Sequence, residues 1–256
     1  YIAQGQYTTA EPLFKEALAL HESLLGDHHP DVAMSLNNLA GLYYAQGHYA
    51  TAEPLFKEAL VLYKSLLGDR HPSVATSLNN LALLYRAQGE YARAEPLYQE
   101  ALSLSKALLG DRHPSVATSL NNLAGLYRAQ GEYARAEPLY QEALSLCKEL
   151  LGDRHPDVAM SLNNLAGLYY AQGEYAKAEP LYQEALSLRK ELLGDRHPYV
   201  ATTQWNLGVL YQEQGKYAEA RALYEQALAI AQPALGAEHP TTKGIQNWLS
   251  SLPDEA

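Results

Sequence analysis

Several residue types are scarce in this chain of 256 residues, and each scarcity excludes a class of protein. The only cysteine, Cys147, cannot form an intramolecular disulfide, and no second thiol is present for a metal site. Lys and Arg number 19 against 29 Asp and Glu, so the net charge of -10 argues against a nucleic-acid partner, which requires cations to neutralise phosphates. No segment approaches the roughly 18 consecutive apolar residues of a membrane span, and the first residues lack a secretory signal. We therefore expect a cytoplasmic protein whose partner is neither a nucleic acid nor a membrane.

Phe and Trp are also scarce, with two of each, whereas Tyr occurs 20 times. Such a skew is typical of one motif copied many times, and internal repetition is evident. The dipeptide His-Pro recurs every 42 residues from His29-Pro30 to His239-Pro240, and residues 69–110 differ from residues 111–152 at only three positions. The chain is therefore an array in which each unit packs mainly on its neighbours.

Each repeat contains two amphipathic patterns. From residue 31 to 46, apolar residues recur at spacings of three and four, which predicts a helix that we call helix A, with Pro30 at its first position and Gly47 ending it. A second pattern from Tyr49 to Leu67 predicts helix B, which Gly68 ends. Pro54 lies about one turn inside helix B, where it should cost a hydrogen bond. Each repeat is thus an antiparallel helix hairpin.

The repeats predict a single array over residues 1–256. It comprises a half repeat at 1–28 with a lone helix B at 7–25, five full repeats at about 29–70, 71–112, 113–154, 155–196 and 197–238, and a terminal half repeat at 239–256 with helix A at 240–252. Residues 1–5 match the end of a helix A, so we expect the array to be cut inside a repeat.

These residues resemble the signature of a known family. The series Leu36, Leu39, Ala40, Tyr43, Gly47, Tyr49, Ala52, Phe56 and Ala59 resembles the tetratricopeptide repeat, and the 42-residue period with the segments 52–55 and 67–72 is similar to the kinesin-light-chain subclass. The resemblance implies an all-α, right-handed superhelical solenoid whose concave face, lined by A helices, binds peptide segments of partner proteins. Nothing here resembles the heptad coiled coil that joins light chains to the motor.

The side of helix A opposite its apolar stripe holds small and polar residues, such as Met34, Asn38, Gly41 and Ala45. Asn is a mediocre helix former, and Gly inside a helix costs about 1 kcal/mol, so their recurrence suggests a surface that a ligand approaches closely. We expect peptide binding on this concave face by Asn37, Asn38, Asn79, Asn80, Asn121, Asn122, Asn163, Asn164, Asn206, Tyr44, Arg86, Arg128, Tyr170, Trp205 and Gln212. The alternative is structural: Asn bonds between neighbouring helices, and Gly permits close packing.

One repeat departs from the others at these positions. Residues 197–238 carry Trp205, Val209, Gln212 and Glu213 where the other repeats have Asn, Gly or Leu, Tyr or Arg, and Ala. An exposed Trp beside a groove is a common binding anchor. We therefore expect Trp205 to contribute to partner specificity.

Repetition also argues against catalysis, because an active site needs unlike residues that converge once. The six histidines before proline lack ligand partners at metal spacing and are expected to be structural turn residues. The recurring Glu53 is expected to lie in the first turn of helix B, where the helix dipole favours an acid. The position of Cys147 varies among repeats, so we expect it to be exposed. We predict no catalytic site, no metal site and no cofactor.

The sequence therefore predicts a non-enzymatic scaffold that holds an extended peptide segment of a partner protein. Two alternatives stay open. The array could be an assembly module that self-associates through exposed array ends, or it could be the regulatory sensor arm of a larger signalling enzyme.

Overall fold

The computed structural model describes residues 7–253, and these residues form twelve α-helices and no strand. In chain order the helices are α1 (Tyr7–Leu25), α2 (Pro30–Ala45), α3 (Tyr49–Leu67), α4 (Pro72–Ala87), α5 (Tyr91–Leu109), α6 (Pro114–Ala129), α7 (Tyr133–Leu151), α8 (Pro156–Ala171), α9 (Tyr175–Leu193), α10 (Pro198–Glu213), α11 (Tyr217–Leu235) and α12 (Pro240–Ser250). The even-numbered helices are the A helices, and the odd-numbered helices are the B helices.

The helices divide between two compact units, and the chain passes from the first to the second between residues 132 and 133. The first unit contains α1 to α6 and the second contains α7 to α12. Within each unit, an A helix packs most extensively on the B helix that follows it, and it also contacts the A helix of the next repeat. The all-α fold class and the repeated helix hairpins predicted from the sequence are therefore confirmed.

The helix bounds agree closely with those expected from the repeat. The helix B that follows α2 spans Tyr49–Leu67 as predicted, and the lone helix B spans Tyr7–Leu25. Each full-length A helix begins at its proline. Two ends differ, since α2 stops at Ala45 and α12 stops at Ser250. The prediction for residues 1–5 lies outside the described residues.

The histidine before each proline caps the following helix. In each A helix of the described chain, Nδ1 of this histidine accepts a hydrogen bond from the backbone N–H two residues later, at 3.1–3.2 Å. The capping residues adopt extended backbone conformations, which is the usual geometry of an N-cap. The six histidines therefore have a definite structural role as hydrogen-bond acceptors, beyond the turn role expected from the sequence.

Glycines with positive φ end both kinds of helix. Gly47, with φ of 77°, follows α2, and the adjacent N–H of His48 bonds to the carbonyl of Tyr43 at 2.8 Å. Gly68, with φ of 80°, follows α3. Because residues with a Cβ rarely adopt this conformation, the glycines fix where each helix stops and where the chain turns.

The early proline of helix B is accommodated inside the helix. Helix α3 begins at Tyr49 and continues through Pro54, so the carbonyl of Ala50 lacks its usual N–H donor. Ala50 is exposed, and water can supply that donor. The proline therefore interrupts one hydrogen bond at the surface and leaves the buried side of the helix intact.

Each unit has its own apolar core between its A and B helices. In the first unit, Val32, Leu36, Leu78 and Tyr63 pack around alanines of the B helices that are fully buried, such as Ala59. Small residues allow the hairpin helices to approach closely. None of the helices within residues 7–253 is long and apolar enough to cross a membrane.

In the second unit, helices α10 and α11 approach each other closely. A Cβ placed on Gly208 of α10 would lie 2.6 Å from the ring of Tyr224, which is fully buried in α11. Gly208 takes the place that Ala40 has in α2, on the core side of the helix, so it is a packing residue. On the groove face, close packing does not explain Gly41 of α2, because a Cβ there would meet nothing within 4 Å.

The capping role predicts a pH-dependent contribution from His197. Burial lowers the pKa of His197 from its ordinary value of 6.5, and the nearby Arg189 lowers it further. The cap needs an unprotonated Nδ1, so its contribution is complete above pH 6.5 and is lost as the pH falls through the lower folded-state pKa. We expect His197→Ala to cost about 1 kcal/mol of unfolding free energy at pH 8 and less at pH 5.

His197→Asn is the matched control, because asparagine caps helices without titrating. Urea denaturation of the three proteins at both pH values measures the effect. An equal cost of His197→Ala at pH 8 and pH 5 would contradict the capping role.

Candidate functional site

The candidate site is the side of the A helices that faces away from the core, which we call the groove face. In the first unit its floor consists of Met34, Asn38, Gly41 and Ala45 on α2, Thr76, Asn80, Leu83 and Ala87 on α4, and Thr118, Asn122, Gly125 and Ala129 on α6. Most of these residues are exposed or half-buried, whereas the opposite stripe, including Leu36, Leu78 and Leu120, is buried. The predicted division of helix A into a core side and a groove side is present. Gly125 is buried within it.

In the first unit, the first asparagine of two pairs links successive A helices. Asn37 Nδ2 donates to Ser77 Oγ at 2.7 Å, and Asn79 Nδ2 donates to Ser119 Oγ at 3.0 Å. Both serines are fully buried. Because each bond joins a residue to one 40 positions later, the pairs fix the register of neighbouring repeats. Asn37 and Asn79 therefore have the structural role that is the alternative to peptide binding, in which Asn bonds between neighbouring helices.

The second asparagine of each pair is differently placed. Asn38 is exposed, and Asn80, Asn122 and Asn164 are half-buried on the groove face. Within residues 7–253 none of these four side chains makes a hydrogen bond. The last repeat differs, since Asn206 Nδ2 donates to Asn163 Oδ1 at 3.1 Å. Four of the five asparagines in this series thus have amide groups free for a ligand.

Aromatic and basic side chains flank the floor. On α2, Tyr44 lies against Tyr49, with ring centroids 5.7 Å apart, and Arg86 of α4 is close enough to interact with it. Burial raises the pKa of Tyr44, and Arg86 offsets part of this rise, so the phenol stays protonated at neutral pH. In the second unit, Tyr170 stacks on Tyr175 at 5.8 Å. These rings form firm edges beside the asparagines.

The expectation that Trp205 is exposed is wrong. Its indole is half-buried and packs against α12, where a Cβ on Gly244 would lie 2.6 Å from the ring. Gln212 is also engaged, because it accepts from the hydroxyl of Tyr224 at 3.0 Å and donates to Ser251 at 3.2 Å. Both residues therefore join α10 to its neighbouring helices. The sequence pattern could not show this, because α12 supplies the contact only after folding.

The recurring glutamate of helix B has a role that sequence analysis missed. Helix α3 begins at Tyr49, so Glu53 lies in its second turn, whereas the sequence predicts the first turn. Its Oε1 accepts from the hydroxyl of Tyr85 on the next A helix at 3.1 Å, and the same pair recurs five times in the described chain. A hydrogen bond from Lys57 lowers the pKa of Glu53 to about 2, so it is a carboxylate at neutral pH.

The variable position of helix B is buried, which corrects a second expectation. Tyr63, Ser105, Cys147 and Arg189 are equivalent residues, and all are at most 7% exposed. Burial raises the pKa of the Cys147 thiol, whose Sγ lies 3.7 Å from Ser161 Oγ. The position lies behind the groove face and contacts the next A helix. The residue type at this position therefore varies because different side chains fill the same internal space in different repeats.

Three of the predicted site residues meet in one cleft of the first unit. Asn79, Asn80 and Asn122 line a cavity of about 160 Å³ between α4 and α6, together with Pro72, Ala75, Thr76, Ser105, Leu109, Ser115 and Thr118. No charged residue lines it. In residues 7–253 no group of three or more His, Cys, Asp or Glu side chains is placed to hold a metal ion.

Comparison with known proteins agrees with this architecture. Residues 1–65, 49–107, 73–149, 115–191 and 157–232 match the tetratricopeptide repeat family. The chain therefore belongs to the tetratricopeptide repeat family, whose repeats form protein-interaction scaffolds. No curated protein matches the chain.

Several solved structures are similar to this chain. BtubC (BKLC) from P. vanneervenii superposes with a TM-score of 0.66 at 27% identity, over 98% of this chain and 93% of that one. A kinesin light chain-like protein with nearly identical repeats from Podospora anserina gives 0.61 at 29% identity, over 80% and 97%. NprR in complex with its cognate peptide NprX gives 0.71 at 18% identity, over 93% and 67%. Two of these neighbours are thus kinesin light chain-like proteins built from tetratricopeptide-type repeats.

The two asparagines of one pair should differ in their effect on stability. Asn79→Ala removes the bond to Ser119 and leaves a buried hydroxyl without its donor, so we expect a loss of about 1 kcal/mol in unfolding free energy. Asn80→Ala removes no hydrogen bond and introduces a better helix former, so we expect no loss. Thermal and urea denaturation measure both.

Ser119→Ala completes a double-mutant cycle with Asn79→Ala. We expect the two changes together to cost less than the sum of the single changes, because they remove the same bond. Additive costs, or equal costs for Asn79→Ala and Asn80→Ala, would contradict the assignment of Asn79 to register and of Asn80 to the groove face.

Proposed function

We propose that this chain is a scaffold that holds an extended peptide segment of a partner protein against the groove face. The observation that carries the proposal is the set of unpaired amides, which are those of Asn38, Asn80 and Asn122 in the first unit and Asn164 in the second. A carboxamide both donates and accepts, so it can bond the N–H and C=O groups of a peptide backbone. Binding of this kind is largely independent of the ligand's sequence.

The small residues of the floor support a ligand that approaches the helices closely. Nothing lies within 4 Å of the Cβ position of Gly41, and Ala87 and Ala129 are exposed. A peptide backbone can therefore lie near the asparagine amides without first displacing a large side chain. Tyr44 and Arg86 beside this floor provide contacts for the ligand's side chains, and aromatic and arginine side chains are frequent at binding hot spots.

The comparisons are consistent with a binding role. Tetratricopeptide repeats are typically non-catalytic scaffolds, and NprR, which shares the fold, was crystallised with its cognate peptide. The groove face repeats the same few residues and therefore offers a ligand several equivalent steps, whereas catalysis needs one convergent set of unlike groups. We infer a non-enzymatic role from this repetition.

A peptide library displayed on phage tests the proposal without knowledge of the natural partner. The wild-type array is used to select random 15-residue peptides, and the affinities of three unrelated selected peptides are then measured by calorimetry. We expect Asn80→Ala and Asn122→Ala each to weaken all three peptides by about five-fold, the equivalent of one hydrogen bond of about 1 kcal/mol. Melting temperatures should stay unchanged.

Val61→Ala is the matched control, because Val61 is 67% exposed on a B helix, away from the groove face. It should leave peptide affinity unchanged. Failure to select any peptide, or affinities insensitive to both asparagine substitutions, would contradict the proposal.

Self-association is the second candidate, and exposed leucines on α1 favour it. Leu13, Leu20 and Leu24 are 49%, 53% and 71% exposed. Sedimentation of the same samples distinguishes the two functions: concentration-dependent oligomers that Leu24→Asp abolishes, without selectable peptides, would support assembly in place of peptide binding.

A further inference from the structure

The cleft between α4 and α6 lies over one small buried residue. Ser105 of α5 is 2% exposed and is the most buried polar residue that lines the cleft. The side chain is too short to fill the space between the two A helices. A cavity of about 160 Å³ therefore opens on the groove face, beside Asn80 and Asn122.

The equivalent place one repeat earlier is filled. There the residue is Tyr63, which is buried and lies beside Asn37. Met34 takes the place that Thr76 has at the mouth of the cleft. The two repeats thus have the same asparagines on the groove face, but the side chain buried behind them is Tyr63 in one and Ser105 in the other.

In the second unit, the equivalent place at Arg189 is filled by a cation. Arg189 is buried, and its guanidinium donates to the carbonyl of Tyr199 at 2.9 Å and to the hydroxyl of Thr203 at 2.5 Å. Its hydrogen bonds are therefore used within the protein. Of these three places, only the one at Ser105 is left open to an incoming side chain.

The chemistry of the lining selects the kind of side chain. A charged group would lose its hydration without meeting an opposite charge, because no charged residue lines the cleft. An aliphatic group would leave polar groups of the lining unpaired, among them the amides of Asn80 and Asn122. The best match is an uncharged group with both N–H donors and a C=O acceptor.

We infer that this cleft binds one carboxamide side chain, Gln or Asn, of the peptide that lies on the groove face. The inference rests on the proposed function and adds specificity to it, since the asparagine floor recognises backbone alone. The cavity is comparable to the roughly 150 Å³ that accommodates a benzene ring, so a carboxamide enters without displacing protein atoms. Ser105 is the residue that sets this specificity.

The test uses the peptide selection with three more variants whose design comes from the chain itself. Ser105→Tyr introduces the residue found at Tyr63 and fills the cleft. Thr76→Met introduces the residue found at Met34 and narrows the mouth from an exposed position, where it should not disturb folding. Ser103→Tyr is the control, since Ser103 is exposed on the same helix and does not line the cleft.

We expect peptides selected by the wild type and by Ser103→Tyr to share Gln or Asn at one position. Replacing that residue by Leu should weaken binding to the wild type about five-fold and should not affect binding to Ser105→Tyr. Thr76→Met should reduce the preference even if Ser105→Tyr folds poorly, which melting curves reveal.

The failures of the two proposals are distinguishable. Peptides that bind through Asn80 and Asn122 but show no preference for a carboxamide would overturn the inference and leave the proposed function standing. A preference that persists unchanged in Ser105→Tyr and Thr76→Met would also overturn it. If no peptide is selected, both proposals fall together.

Discussion

The hydrogen bonds that recur between successive repeats are the constraint on which the groove face depends. Asn37 to Ser77 and Asn79 to Ser119 join A helices, while Tyr85 to Glu53 joins an A helix to the preceding B helix. Each bond connects residues at a fixed separation, so an insertion in one repeat would misalign several pairs at once. This explains why the 42-residue period never varies. It also explains why the asparagines occur in pairs: one member maintains register, and its neighbour, rotated by about 100°, lies on the groove face.

Much of the fold follows from local rules and could be predicted. Proline at the first position of each A helix and glycine with positive φ after each helix determine the bounds, and both act within a few residues. The hydrogen-bonding roles could not be predicted as easily. Ser77 is 40 residues from Asn37, and only the packing of α2 on α4 brings them together. A recurrent buried serine beside the core leucine of helix A was the available signal, because a polar residue at a core position needs a partner.

Two expectations failed for a related reason. Variation at the position of Cys147 predicts exposure, yet buried positions also vary when the space around them differs, as Ser105 and Arg189 show. The sequence also predicts an exposed Trp205, which takes the place of an asparagine in the other repeats, but its ring packs against Gly244 of α12. In both cases the deciding contact comes from a different helix. The repeat therefore combines a nearly uniform groove face with a variable buried position behind it.

The central claim is that the two asparagines of a pair have different tasks, and side-chain amide NMR tests it most directly. A peptide selected by the array is titrated into the ¹⁵N-labelled protein while the side-chain NH₂ signals of asparagine are followed. The account predicts that the signals of Asn80 and Asn122 shift and become protected from solvent exchange, while those of Asn37 and Asn79, already bonded to serines, stay in place. Shifts confined to Asn37 and Asn79, with Asn80 and Asn122 unaffected, would contradict it.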